Sequence, residues 1–287
     1  MDNIIQLIPD ADFSHGFTVH GPRHEDGRVA TYRPDAKTAW NIAQWGVYNH
    51  PLSADTPCEE LPGGGYRYAT DTLSVTVHPA DGDYDVRLFV DTRPEYGTRP
   101  RQGGEDWPHL LVEQSGWAAG APRLCDMERL HYHCEFRIDG YENHMTEEQF
   151  RRDLHTAQVS QFFTVNDVNT GDYMWFGLPY FDHRSDIQSG GSMIDSGKAD
   201  ATGKLIYGMD QHLLTDVSPK ALGWLVYDID LLPHIRGAFD YAKENGLYPH
   251  STWEDMAINH TNFGFEMPGT FSGAMCIRNM SLSAYLK

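Results

Sequence analysis

The chain has 287 residues, of which 40% are hydrophobic, and a formal net charge of −19. That length suits one large or two small domains. The charge repels nucleic acid and anionic membrane surfaces, which excludes both as partners, and no apolar run approaches the roughly 18 residues of a membrane span. Asp outnumbers Glu about two to one, as expected of a loop-rich β-protein; adaptation to high salt is a second possible source of the acidity. The 27 Gly and 16 Pro argue for many short segments, and the 12% aromatic content suits a sandwich core or ligand-stacking surfaces.

Taken in order, most of the chain alternates with the period of two that marks strands. Residues 40–46 form the first, with Trp40 and Ile42 on one face. Leu73, Val75 and Val77, then Val86, Leu88 and Val90, predict a hairpin turning at 79–83. Residues 107–114, 129–137, 159–166, 173–182, 204–210, 222–229, 261–267 and 273–282 supply the remaining strands. Two helices interrupt them. Thr146 and Gln149 form a capping box opening a helix over 146–158. Pro233 sits in the first turn of another over 230–246, whose apolar face is Ile235, Ala238, Phe239 and Ala242. With no repeat, linker or composition shift, residues 1–287 read as a single domain. The predicted fold is all-β, a jelly-roll β-sandwich of two antiparallel sheets with two short strap helices.

The four cysteines, at 58, 125, 134 and 276, show no CxxC or zinc spacing, and Cys134 and Cys276 fall on apolar strand positions. The chain opens without a basic and apolar leader, so a reduced, cytoplasmic protein is expected unless a secretion signal has been trimmed.

Residues 129–137 carry the densest chemistry. Arg129, His131, His133, Glu135 and Arg137 share one face of a strand, opposite Leu130, Tyr132, Cys134 and Phe136. This is either a solvated face of paired charges or a site that moves protons and holds an anion. His131 and His133 could bind a metal if a third ligand arrived, but hydrogen bonding or proton transfer suits them better, and no cofactor is expected. Arg87, Asp91 and Arg93 share a face of another predicted strand, either as a salt-bridge ladder or, if that strand lies beside 129–137, as a carboxylate kept ionised by arginine. Residues 81–85 resemble a calcium loop faintly but lack the other ligands, and read as a turn.

Tyr173 and Trp175 open an aromatic strand ending in Asp182, His183 and Arg184. Rings that stack on a pyranose beside Asp and Arg that hold its hydroxyls would form a sugar site. The competing reading is a core plug. Trp107, followed by His109 and Glu113, is a smaller cluster of the same kind, and Glu266 sits on the polar parity of a late strand.

A strap helix before the last strands, and a closing pattern of Phe265 and Glu266 followed by Ile277, Arg278, Asn279, Met280, Ser281 and Leu282, resemble the concanavalin A-like jelly rolls. Glycoside hydrolases, polysaccharide lyases and carbohydrate-binding modules share that architecture. The E-x-D-x-x-E signature of its laminarinase-like hydrolases is absent, so the resemblance implies glycan chemistry without assigning residues. The expected partner is therefore an oligo- or polysaccharide. In the hydrolase reading Glu135, Asp91 and Glu266 supply acid and nucleophile, with His133 or His131 sharing a proton. Arg93, Arg129, Trp107, Tyr173, Trp175, Asp182, His183 and Arg184 would bind substrate. A lyase using His or Tyr with Arg, and a non-catalytic carbohydrate-binding protein, are the alternatives. One shared site would bring the 182–184 segment against the polar face of 129–137.

Overall fold

The alternating segments build two facing sheets in the computed structural model, which describes residues 3–32, 38–78, 82–97, 99–117, 120–196 and 201–287. The first sheet runs β15 (Leu225–Asp230), β10 (Met127–Asn143), β17 (Phe271–Leu286), β8 (Val86–Asp91), β7 (Leu73–Val77), β6 (Tyr66–Ala69) and β5 (Cys58–Glu60). A short β1 (Ile4–Gln6) pairs with the far end of β17. The second runs β13 (Gly191–Ile194), β14 (Leu205–Gly208), β12 (Tyr173–Asp182), β11 (Gln158–Asp167), β16 (Met256–Glu266), β9 (His109–Ser115), β4 (Trp40–Ala43), β2 (Phe17–His20) and β3 (Arg28–Tyr32). Among the described residues every pairing is antiparallel except β12 with β14 and β2 with β4. This is the expected jelly-roll sandwich.

The apolar parity of each strand faces inward. Trp40, Ile42, Leu73, Val75, Val77, Val86, Leu88, Val90, Leu130, Tyr132, Phe136, Phe263 and Phe265 are all buried in one continuous core. The tyrosines at its centre need partners for their hydroxyls. The Tyr132 hydroxyl lies 2.6 Å from that of Tyr180 and donates to Gln161, while Tyr227 donates to the Pro179 carbonyl at 2.8 Å. This network joins β10 and β15 of one sheet to β11 and β12 of the other. It also fixes the orientation of the sheets: because Tyr132 points at the second sheet, His131 and His133 point away from it.

One predicted helix forms and one does not. α2 (Leu232–Glu244) buries Ile235, Ala238, Phe239 and Ala242, as its periodicity predicts. Over 146–158 the capping box itself is present: Thr146 N–H donates to Gln149 Oε1 at 3.0 Å and Gln149 N–H to Thr146 Oγ1 at 3.3 Å. It closes only a turn. The His155 ring accepts from Arg151 N–H at 3.0 Å, and from Gln158 onward the chain is drawn into β11. The other α-helix among the described residues is the single turn α1 (Arg93–Tyr96). Residues 79–81 of the predicted hairpin turn, and with them part of the calcium-like loop, lie outside the described residues. Among those described, no helix is long and apolar enough to cross a membrane.

Candidate active site

The outer face of the nine-stranded sheet carries the strongest site. On β9, Leu110 and Val112 fill the core, so His109, Leu111 and Glu113 point outward. On the adjoining β16, Phe263 and Phe265 point inward, leaving Asn262, Gly264 and Glu266 outside. Asn262 lies opposite Glu113, and Glu266 opposite His109. Across β11 the same face continues through Gln158, Phe162 and Thr164, and on β12 through Tyr173 and Trp175. Phe162 lies over Gly177, where a Cβ would come 2.5 Å from its ring. Trp175 meets Phe162, Tyr173 and His260 edge to face, at centroid distances of 6.2, 5.7 and 5.7 Å.

Two carboxyl groups stand on this face in different surroundings. Burial pushes the Glu113 carboxyl up to about 7, against a weaker opposing effect of the Trp45 indole N–H that donates to it. Glu113 is therefore protonated for much of its time near neutral pH. Glu266 accepts from Gln158 Nε2 at 3.0 Å and lies 3.9 Å from His109 Nε2, which in turn takes the Trp107 indole N–H at 3.1 Å. That donation fixes the His109 tautomer with its proton on Nδ1. Burial pushes His260, one step along β16 from Asn262, down to about 4, so it is neutral at physiological pH. Beside His109 the face opens into a depression of about 490 Å³, walled by Trp45, Tyr48 and Trp107.

Other predicted site residues lie elsewhere. His131, His133 and Glu135 occupy the outer face of the eight-stranded sheet. There His131 Nε2 and His133 Nδ1 share the Asp228 carboxylate at 2.8 and 3.0 Å. Glu135 is bound by Arg278 Nε at 2.7 Å and Asn279 Nδ2 at 2.8 Å. Partial burial raises its carboxyl, but these two bonds together hold it below the ordinary range. The Arg129 guanidinium rests 4.1 Å from the Tyr285 ring centre. This face is one of mutually paired charges.

Asp91 does not join it. Asp91 pairs opposite Ser272 on β17 whereas His131 pairs opposite Ser283, some 35 Å away along the strand. Arg93 clamps Asp91 from within its own segment, at 2.5 Å from Nη2. The 182–184 segment also stays apart. Asp182 is buried in a clamp from Arg184 at 2.6 Å and a bond from Thr156 at 2.9 Å. His183 packs edge-on against Tyr141, Phe150 and Phe271. The expected single site joining 182–184, Asp91 and the 129–137 face is thus corrected: Glu135 and Glu266 stand on opposite outer faces of the sandwich, separated by both sheets. Glu266 and Trp107 do share this outer face with Tyr173 and Trp175, but not one spot on it: Glu266 and Trp107 lie with His109 and Trp45 towards one end, whereas Trp175 and Tyr173, beside Phe162 and His260, lie about 20 and 26 Å further along the strands, with Glu113 between the two groups. The expected catalytic set omits Glu113, Trp45, His109, His260 and Phe162. Among the described residues no group of three or more His, Cys, Asp or Glu side chains is arranged to hold a metal ion.

No protein-family model matches the chain, and no curated protein matches it. Solved structures similar to it include the family 11 xylanase from Neocallimastix patriciarum, at 8% identity over 85% of this chain and 99% of that one, with a TM-score of 0.41. The family 12 xyloglucanase from Bacillus licheniformis is similar at 10% identity over 86% and 100%, also with a TM-score of 0.41. An endo-1,4-β-glucanase, CelB2, shares 13% identity over 81% and 96%, with a TM-score of 0.38. The jelly-roll assignment rests on the two sheets themselves, and these distant likenesses assign no residue a role.

Proposed function

We propose that the chain is a glycan-cleaving enzyme, a glycoside hydrolase, acting on the outer face of the nine-stranded sheet with Glu113 as proton donor. The observation that carries this reading is Glu113 itself: a half-buried carboxyl pushed up to about 7, on a face lined by aromatic rings. A general acid must hold its proton at working pH yet release it readily, and such a value meets both needs. The rings of Trp45, Trp107, Tyr173, Trp175 and Phe162 suit the apolar faces of sugars, and neutral His260 and Asn262 suit their hydroxyls. Glu266 is the second carboxylate.

Glu113 and Glu266 stand four residues apart along paired strands, so their Cα atoms are separated by about 13 Å. A span of that size is out of keeping with the roughly 5–5.5 Å between the carboxyls of retaining enzymes. It lies nearer the roughly 6.5–9.5 Å between the carboxyls of inverting enzymes, a range the two side chains reach only by leaning towards one another over a bridging water. The same span favours, as a second reading, a glycan-binding protein without turnover.

A panel of neutral and uronate-containing glycans, scored for new reducing ends and for unsaturated products, tests the proposal. Hydrolysis with the anomeric configuration inverted in the first product is expected, and Glu266→Gln should lower the rate at least 100-fold, as for loss of a general base. Unsaturated products would identify a lyase instead, and binding without turnover would leave the second reading.

A further inference from the structure

The depression beside His109 contains an arginine that makes no direct ion pair among the described residues. Arg101 lines it while retaining only 6% of its surface exposed. Its guanidinium stacks 4.8 Å from the Trp107 ring centre, and its Nε donates to the Glu105 carbonyl at 2.8 Å. Its Nη1 reaches the Leu154 carbonyl at 3.4 Å, and among the described residues no carboxylate lies within ion-pairing distance. A buried guanidinium ordinarily has an ionic partner, because carbonyl oxygens repay only part of its lost hydration.

The nearby acids are committed elsewhere. Glu105 is taken by Arg99, at 3.0 Å from Nη1, and by the Gln102 N–H at 2.7 Å; these bonds chiefly hold it down to about 2, with the Arg101 charge adding a smaller, longer-range contribution. Asp106 accepts the Tyr48 hydroxyl at 2.8 Å. At the rim a second guanidinium, that of Arg23, lies 4.9 Å from the Tyr48 ring centre, also with no carboxylate in ion-pairing distance among the described residues. Two arginines stacked on rings thus converge on one depression beside Glu266 and His109.

We propose that this depression is a uronate subsite, which takes the carboxylate of a single uronic acid residue within a glycan lying on this face. The inference rests on the glycan reading above and narrows its substrate class. Arg101 Nη2, left over once Nε and Nη1 have met the Glu105 and Leu154 carbonyls, is a charged donor for a carboxylate oxygen, and Trp45 and Trp107 offer walls for the pyranose that bears it. The acids Glu25, Glu105, Asp106, Glu113 and Glu266 around the rest of the face, together with the net charge of −19, oppose a uniformly charged polyuronate or a doubly charged phosphate. An isolated uronate in an otherwise neutral chain satisfies both conditions.

Calorimetric titration tests this with uronosyl disaccharides of gluco, galacto and manno configuration, each beside its carboxyl-reduced counterpart. At least one uronosyl sugar should bind about 10- to 100-fold more tightly than its neutral twin, the value of one charge-assisted hydrogen-bonded contact. That preference should shrink at high salt. It should collapse towards unity in Arg101→Met, with the neutral sugar's affinity preserved, and fall several-fold in Arg23→Ala. Should Arg101→Met fail to fold, exposed Arg23 and ligand-induced shifts of the Trp45 and Trp107 indole signals decide the matter. Equal affinity for every pair in the parent protein, or a preference surviving in both variants, overturns the subsite while leaving the hydrolase reading intact. Uronate preference without any turnover has the reverse consequence, and no binding of any sugar overturns both.

Discussion

Glu113→Gln is expected to make the protein more stable than its parent at pH 8, by about 3 kcal/mol, and to change it little at pH 4. The sign follows from linkage. Burial raises the folded-state value of Glu113 from 4.5 to about 7, so the folded chain holds this proton more tightly than the unfolded chain does. As pH rises through that window, unfolded molecules release the proton and folded ones keep it, and the parent loses stability. Above about 7 the folded carboxyl must ionise in its half-buried place, and the full cost of about 1.4 kcal/mol per unit is present. The amide variant carries no such term and keeps an oxygen for the Trp45 indole N–H. Urea melts of both proteins at pH 4, 5.5 and 8 read the difference directly. A difference that does not change with pH would mean that Glu113 titrates as an ordinary surface glutamate.

The second large effect is structural. Gly264→Ala should destabilise the protein by about 3 kcal/mol or more, at the upper end for overpacking. A Cβ at Gly264 would fall 2.1 Å from the Leu110 carbonyl oxygen and 2.9 Å from the Leu111 Cα. Both are backbone atoms of β9, so no side chain can swing away. Relief requires β9 and β16 to part between the rows that hold Glu113 and Glu266. Gly208→Ala on β14 is the matched control: its nearest neighbour would be the Gly191 carbonyl oxygen at 3.7 Å, an ordinary contact. Chemical melts of the two variants should separate clearly. Equal stability would show that the β9–β16 pairing yields more easily than its geometry indicates.

The strands were legible because burial imposes a period of two on the chain itself. Leu130, Tyr132, Cys134 and Phe136 announce their inward face without knowledge of any neighbour. The 146–158 segment departs from the expected helix because a capping box reports only its own turn. Continuing a helix needs an apolar stripe against the core, and here His155 bonds back to Arg151 while pairing with β12 and β16 claims the residues from Gln158 onward.

The site was harder for a related reason. The paired charges of His131, His133 and Glu135 were visible as a row, but their partners Asp228, Arg278 and Asn279 come from other strands. Glu113 is inconspicuous in the sequence because apolar Leu111 shares its outward parity. Its environment also comes from distant positions: Trp45 lies 68 residues earlier and Asn262 149 residues later. A raised carboxyl value is a property of that convergence, which spacing in one strand does not encode.

Comparing initial rates of Glu113→Gln and Glu135→Gln on one glycan cleaved by the parent, at pH 6, sets the two outer faces against each other. The nine-stranded face predicts a loss of about two to four orders of magnitude for Glu113→Gln, with glycan binding retained, and a rate within a few-fold of the parent for Glu135→Gln. Loss of turnover in Glu135→Gln with Glu113→Gln unimpaired would move the chemistry to the His131 and His133 face and contradict the account.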